Sequence, residues 1–177
     1  MKRLGDILQE ERKLLGAMRG VVSKMRELSS PDIQDVAEGS ARLRRIRSEI
    51  YENLNQVQHE YVILQGLHWL ASNGFSHEVV WEWNPRQTGG REEPDLRGTH
   101  DGRVVASAEA TASQEPKGGL DSRMRDTLEK LTKMEGEKFY FVCAHAMAQR
   151  AQKKVRDAGW RVRVVNVLAD VHAPDGR

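Results

Sequence analysis

A chain of 177 residues is long enough to bury a hydrophobic core and fits one domain with an appendage. The single cysteine, Cys143, excludes a disulfide scaffold and a cysteine-rich zinc site, and it is compatible with a reducing compartment. No apolar run approaches the ~20 residues of a membrane span, and the N-terminus lacks the apolar block of a signal peptide, so we expect a cytoplasmic protein.

The N-terminal part of the chain has helical periodicity. Apolar residues recur at three- and four-residue steps in two stretches, which predicts two long amphipathic helices. The first stripe is Leu4, Ile7, Leu14, Met18, Val21, Met25 and Leu28, and the second is Leu43, Ile46, Ile50, Leu54, Val57, Leu64 and Leu67. Ser30 and Pro31 suit the N-cap and first turn of a following helix. The heptad-like seams predict a helical hairpin or a dimerising coiled coil, and a helical layer packed on the protein's own core fits them equally well.

Strands are predicted only after Gly74. The predicted elements are a strand at 79–83, a polar loop at 84–90, two strands flanking residues 100–102, a helix around 124–131, a buried strand at 139–144, a helix at 146–158, a strand at 160–167 and a frayed tail from 172. Periodicity alone therefore predicts an α/β domain that carries an N-terminal helical extension.

Two acidic residues lie on the two strands of the predicted hairpin. A three-residue loop with Gly102 at its third position pairs Asp95 with Ser107, so that Asp95 and Glu109 share one sheet face. A two-residue loop would instead pair Asp95 with Ala108 and separate the carboxylates. We predict the three-residue loop.

Two convergent carboxylates suit a hard divalent cation. Mg²⁺ takes oxygen ligands and usually keeps several waters, and Mn²⁺ accepts the same donors. A metal held in this way can activate water and stabilise a phosphoryl transition state. We therefore predict that Asp95 and Glu109 bind Mg²⁺ or Mn²⁺.

The two half-motifs match a known pattern. The run from Glu93 to Gly98, followed by the run from Val104 to Thr111, resembles the PD-(D/E)XK nuclease superfamily, which includes many restriction enzymes and the archaeal Holliday-junction resolvases. The predicted order of helices and strands over 57–167 agrees with that resemblance. It implies a restriction-endonuclease-like mixed sheet flanked by helices at 57–170, preceded by a helical extension at 1–56 that is a possible dimerisation element and followed by a tail at 171–177.

The resemblance also implies site residues. A helix before the first strand of the family often supplies a glutamate to the metal, and Glu60 fits that position; a salt bridge to an arginine of the helical pair is the alternative. Thr111 stands where the family usually has a lysine that positions and activates the attacking water. A hydroxyl cannot supply the positive charge of that lysine, so Thr111 or a displaced lysine, namely Lys117, Lys130 or Lys133, would assist the water.

Basic residues form two groups that could neutralise backbone phosphates. These are Arg42, Arg44 and Arg45 in the second helical stretch, and Lys153, Lys154 and Arg156 near the C-terminus. A solvated charged face accounts for both groups equally well.

The predicted function is that of a metal-dependent DNA endonuclease. Cutting both strands of a duplex calls for two sites, which fits a homodimer. One alternative is a catalytically degenerate nuclease-fold subunit with a DNA-binding or structural role in a repair, restriction or defence complex. Another is a coiled-coil adaptor whose α/β part presents a surface.

Overall fold

The computed structural model describes residues 1–29, 32–85 and 92–168. The predicted N-cap pair at Ser30 and Pro31, most of the polar loop after Asn84 and the predicted frayed tail lie outside these residues. The helices are α1 (Ile7–Leu28), α2 (Val36–Ile46), α3 (Glu52–Ser72), α4 (Gly119–Thr132) and α5 (His145–Ala158), and a π-helical segment (Arg47–Tyr51) joins α2 to α3. The strands are β1 (Lys2–Arg3), β2 (Val80–Trp83), β3 (Leu96–His100), β4 (Arg103–Thr111), β5 (Glu137–Val142) and β6 (Arg163–Asn166).

The strands within the described residues form one six-stranded mixed sheet in the order β1-β2-β3-β4-β5-β6. Strands β1 to β4 pair antiparallel, whereas β5 pairs parallel to β4 and β6 parallel to β5. Helices precede, separate and cover the strands, so the predicted α/β class is confirmed.

The start of the chain differs from the prediction. Periodicity places Leu4 on the first helix, but Asp6 is the N-cap of α1 and accepts a hydrogen bond from the backbone N–H of Leu8. The residues before this cap pair with β2, and the N–H of Leu4 donates to the carbonyl of Trp81. A strand of two residues is too short to show an alternating pattern.

One face of the sheet packs against α3. Phe139 and Phe141 on β5 join α3 side chains such as Ile63 and Leu67 in a single apolar cluster. Gly66 permits the close approach of helix and strand, because a Cβ at that position would lie 2.5 Å from the ring of Phe141. This face of the sheet is therefore a tightly packed apolar layer.

Helix α1 packs on the same layer. Leu4 and Leu14 are buried in the apolar cluster of the sheet and α3, so these two members of the predicted seam contact the chain's own core. Another face of α1 leaves large apolar side chains exposed, namely Leu8, Leu15, Val22 and Met25. The homodimer stays a prediction, as does a domain boundary at residue 56, which falls inside α3.

The opposite face of the sheet packs against α4 and α5. Tyr140 and Val142 of β5 join Leu128 of α4 and Met147 of α5 in a second buried cluster. Side chains alternate along a strand, so β5 serves both clusters. The polar residues of β4 lie toward this second layer, where the candidate site is found.

Candidate active site

The β3–β4 hairpin sets the positions of the two predicted carboxylates. The predicted three-residue loop is wrong: His100 pairs with Arg103 across a two-residue turn. Asp101 and Gly102 have φ angles of 49° and 72°, and the turn that matches strand twist requires positive φ at both central residues, which favours Asp-Gly. The glycine did not distinguish the two loops in advance, because Gly102 suits either one.

A β-bulge places Asp95 and Glu109 on the same face of the sheet in spite of the two-residue turn. The register shifts between Gly98 and Thr99, so that Leu96 pairs with Ala108. One position further along the register, Asp95 lies opposite Glu109. The two carboxylates therefore meet at the predicted place by a different backbone route.

Asp95 is buried and makes three contacts that fix its position. Its Oδ2 accepts a hydrogen bond from the backbone N–H of Ala110 at 2.8 Å and lies 3.1 Å from Nε2 of His59. The backbone carbonyl of Asp95 accepts a hydrogen bond from the N–H of Asn84. Asp95 thus links β3, β4 and α3 at the end of the hairpin.

His59 is held between two oxygen atoms. Its Nδ1 lies 3.1 Å from the carbonyl oxygen of Pro85 while its Nε2 faces Asp95. Both ring nitrogens must carry hydrogen to satisfy both acceptors, which favours the imidazolium form. Burial lowers the pKa of His59, but the carboxylate of Asp95 and the carbonyl of Pro85 outweigh that effect, so the net pKa is raised.

Glu109 is buried and forms an ion pair with a lysine. Nζ of Lys130 lies 2.6 Å from Oε1 of Glu109, and no donor within the described residues makes a hydrogen bond of good geometry to that oxygen. Desolvation, with a smaller contribution from the negative charge of Asp95, raises the pKa of Glu109 to about 7, although Lys130 opposes the shift. A carboxyl group with such a pKa changes protonation near neutral pH, a property that clusters at functional sites.

Lys130 is the one of the three candidate lysines that reaches the acidic pair. Its ammonium also donates to the carbonyl oxygen of Glu93 at 2.7 Å, so it is anchored beside Asp95 as well. Lys117 pairs with Glu115, and Lys133 pairs with Glu129. Helical spacing could not separate Lys130 from Lys133, because both lie on one side of α4.

Thr111 lies on the same face of β4 as Glu109 but makes only neutral contacts. Its hydroxyl lies 3.3 Å from Oγ of Ser113 and accepts a hydrogen bond from the backbone N–H of Ser113 at 3.4 Å. Burial raises the pKa of Tyr140, so its hydroxyl remains neutral. The positive charge that the position of Thr111 lacks is present on Lys130.

Glu60 lines a different cavity from the one that Glu109 lines. It accepts a hydrogen bond from Gln56 at 3.1 Å and lines a cavity against α1 together with Lys13 and Leu14. Its neighbour His59 is the α3 residue that contacts Asp95. The role of Glu60 as a metal ligand stays a prediction.

The donor set is suited to a magnesium-type ion with few protein ligands. Among residues 1–29, 32–85 and 92–168, no group of three or more histidine, cysteine or acidic side chains is arranged to hold a metal. Asp95 and Glu109 remain as two adjacent carboxylates, and Mg²⁺ is commonly bound by one or two carboxylates together with waters. The residues therefore fit Mg²⁺ or Mn²⁺ and do not form a zinc cage.

Glu109 of the acidic pair lines an open cavity of about 670 Å³. The β4 side of this cavity is formed by residues 109–113, and α4 contributes Arg123 and Met124. Tyr51, Asn55 and Gln58 form the wall on the α3 side. A reacting group could thus reach Glu109 from solvent.

The predicted phosphate-binding residues lie elsewhere on α2 and α5. Most of them pair with carboxylates: Arg42 with Glu38, Arg45 with Glu49, Lys153 with Asp157, and Lys154 with Asp121. Arg44 and Arg156 are exposed. None of the six lines the cavity beside Glu109, so their role in nucleic-acid binding stays a prediction.

Comparison of the chain with protein-family models, curated proteins and solved structures found no match. None of the helices in the described ranges is long and apolar enough to cross a bilayer.

Proposed function

We propose that this protein is a metal-dependent phosphodiester hydrolase that acts on DNA, with a restriction-endonuclease-like core and a helical N-terminal extension. The observation that carries the proposal is the arrangement of Asp95, Glu109 and Lys130. Two buried carboxylates lie opposite each other on a hairpin, and an ammonium group contacts one of them at 2.6 Å beside an open cavity.

Each residue has a defined role in this proposal. Asp95 and Glu109 would hold Mg²⁺ or Mn²⁺, which when bound lowers the pKa of a coordinated water and offsets charge on a phosphoryl group. Lys130 supplies the positive charge that Thr111 cannot, and it positions water beside Glu109. His59 fixes the orientation of Asp95 through the contact at Oδ2.

A specific observation favours the degenerate nuclease-fold subunit as a second candidate. The site is balanced in charge without a metal, because the imidazolium of His59 pairs with Asp95 and the ammonium of Lys130 pairs with Glu109. A cation would have to compete with both groups. In this second role the cluster would stabilise the fold of a DNA-binding or structural subunit in a repair, restriction or defence complex.

Metal-dependent cleavage separates the two candidates. With Mg²⁺ or Mn²⁺, the wild-type protein should cut plasmid DNA, and Asp95→Asn, Glu109→Gln or Lys130→Met should each lower the rate by about 100-fold or more, as expected for groups that stabilise developing charge. Glu129→Gln and Lys133→Met change an exposed pair on the same helix and should leave the rate within about twofold. Salt-sensitive DNA binding with no cleavage under either metal would support the degenerate subunit instead.

A further inference from the structure

The wall of the cavity that faces Glu109 has no role in the proposed chemistry. Tyr51, Asn55 and Gln58 follow one another at four- and three-residue steps, so they form a single row from the end of the π-helical segment into the beginning of α3. All three side chains are exposed, and no hydrogen bond or ion pair joins any of them to the rest of the described chain. The row is therefore available to a ligand.

Tyr51 is the unusual member of this row. Its side chain is 63% exposed, and it is the last residue of the π-helical segment that precedes α3. Wide turns of this kind occur frequently at functional sites. An exposed aromatic ring at the edge of a cavity offers a flat apolar surface that water solvates poorly.

Asn55 and Gln58 add hydrogen-bonding groups beside that ring. Each amide offers two donors and an acceptor, which can pair with the edge of a nucleobase. Stacking on an aromatic ring, combined with hydrogen bonds to base edges, is how proteins recognise unpaired nucleotides. The cavity volume of about 670 Å³ lies within the range of small-ligand sites.

We propose that this cavity holds an unpaired nucleobase, with Tyr51 as the stacking residue and Asn55 and Gln58 as residues that contact the base edge. The substrate would then be DNA with unpaired nucleotides, such as a single strand, a flap or a branch, rather than continuous duplex. This inference rests on the proposed nuclease function and names its substrate class. In a duplex the faces of each base are stacked and its pairing edge is occupied, so the row could not engage it.

Cations are few at this cavity. A protein that grips continuous duplex needs several cations that track the phosphates. Among the described residues that line the cavity, Arg123 is the one lysine or arginine, and Arg45, Lys153 and Lys154 pair with carboxylates elsewhere on the chain. The neutral row of Tyr51, Asn55 and Gln58 instead presents an aromatic face and two amides next to the candidate active site.

Binding can be measured apart from cleavage. The full chain is titrated in EDTA against a short fluorescein-labelled single strand and against its blunt duplex, and affinity is read by fluorescence anisotropy. We expect the single strand to bind about tenfold more tightly than the duplex. Tyr51→Ala should weaken single-strand binding by about 5- to 150-fold, the range that corresponds to the loss of one stacked base.

Conservative and matched variants distinguish stacking from a structural effect. Tyr51→Phe keeps the ring and should bind within about twofold of wild type. Leu8→Ala removes a similarly exposed apolar side chain, 58% exposed, on α1 and should not change affinity. Because Tyr51 is exposed, the melting temperature of Tyr51→Ala should equal that of wild type.

Equal affinity for single strand and duplex, or unchanged binding by Tyr51→Ala, would overturn the inference. If such results accompany cleavage that depends on Glu109, the nuclease proposal survives and only the assignment of the substrate fails. If single-strand binding depends on Tyr51 but no metal supports cleavage, the nucleobase site stands and the nuclease proposal fails.

Discussion

The two faces of β4 differ in chemistry although they belong to the same strand. Toward α3 the strand presents Ala106 and Ala108, which are buried in the apolar cluster. Toward α4 it presents Ser107 and Glu109, which are buried polar residues. The first face stabilises the fold through apolar contacts, whereas the second requires a partner for every polar group that it buries.

The polar face has such partners, but they are few. The hydroxyl of Ser107 donates to the carbonyl of Glu135, and Glu109 relies on Lys130. A buried carboxyl group whose pKa is about 7 is destabilising in its charged form. The comparison indicates that one face of the sheet serves stability, and that the other retains charge at the expense of stability, as functional sites often do.

The largest effect is expected on the α3 face. Phe141→Ala should lower the free energy of unfolding by about 3–5 kcal/mol, because the ring is almost fully buried between β5 and α3. The measurement is urea unfolding followed by circular dichroism. As a control, Val80→Ala changes an exposed position on β2 and should alter the free energy of unfolding by less than about 1 kcal/mol. Similar losses for the two variants would contradict the assignment of this face as the stabilising layer.

A smaller loss of stability is expected from substitution of Lys130, which pairs with Glu109 on the opposite face of the sheet. Lys130→Met leaves the carboxyl group of Glu109 without a cation, so it should destabilise the protein by about 1–3 kcal/mol at pH 8. At pH 5, below the pKa of about 7, Glu109 is protonated in the folded protein, and the loss should shrink. Urea unfolding at the two pH values checks this prediction.

The neighbouring exposed lysine provides the control for that experiment. Lys133→Met breaks the exposed pair with Glu129 and should change stability by less than about 1 kcal/mol at both pH values. A loss in Lys130→Met that does not depend on pH would show that Lys130 acts through packing of its side chain rather than through its charge.

The smallest change in the free energy of unfolding is expected from Glu109→Gln, and it should be a gain in stability. The folded protein holds the proton of Glu109 up to a pKa of about 7, whereas the unfolded chain releases it near 4.5. Because the folded state binds more protons between these values, ionisation of Glu109 reduces stability as the pH rises from 4.5 to 7, and the reduction persists above pH 7.

Glu109→Gln should therefore raise the free energy of unfolding by about 1–2 kcal/mol at pH 8 and leave it nearly unchanged at pH 4.5. Glu129→Gln, at a half-exposed position of α4, should show no comparable gain at pH 8. Destabilisation by Glu109→Gln at pH 8 would mean that the pair with Lys130 is a net stabilising contact, which would remove the contrast between the two faces.

Most of the regular structure could be predicted from the sequence because its patterns are strong. The apolar run at 139–144 and the alternating pattern at 160–167 identified the two strands β5 and β6, and helical periodicity identified α4 and α5. The two residues of β1 could not be predicted, because so short a segment has no period. The side of α3 that faces the site could not be predicted either, since α3 is buried against both α1 and the sheet.

The site was predictable only in part, for reasons of three-dimensional packing. Asp95 and Glu109 could be paired from the hairpin pattern, although the loop that joins them was predicted wrongly. The contact between Lys130 and Glu109 depends on where along β4 the helix α4 packs, and no local sequence pattern determines that position. His59 was not predicted, because the resemblance implies a glutamate on the helix before the first strand, and Glu60 fits that position.

The bulge in the β3–β4 hairpin has a consequence for how this protein tolerates changes in length. An odd number of residues separates Asp95 from Glu109, so these residues can face each other across a two-residue turn only if one residue drops out of the ladder. The bulge absorbs that residue between the turn and the acidic pair. Deleting one residue from the outer hairpin could therefore straighten the ladder without separating the carboxylates. A one-residue deletion between the turn and the acidic pair should therefore leave the two acids opposite each other.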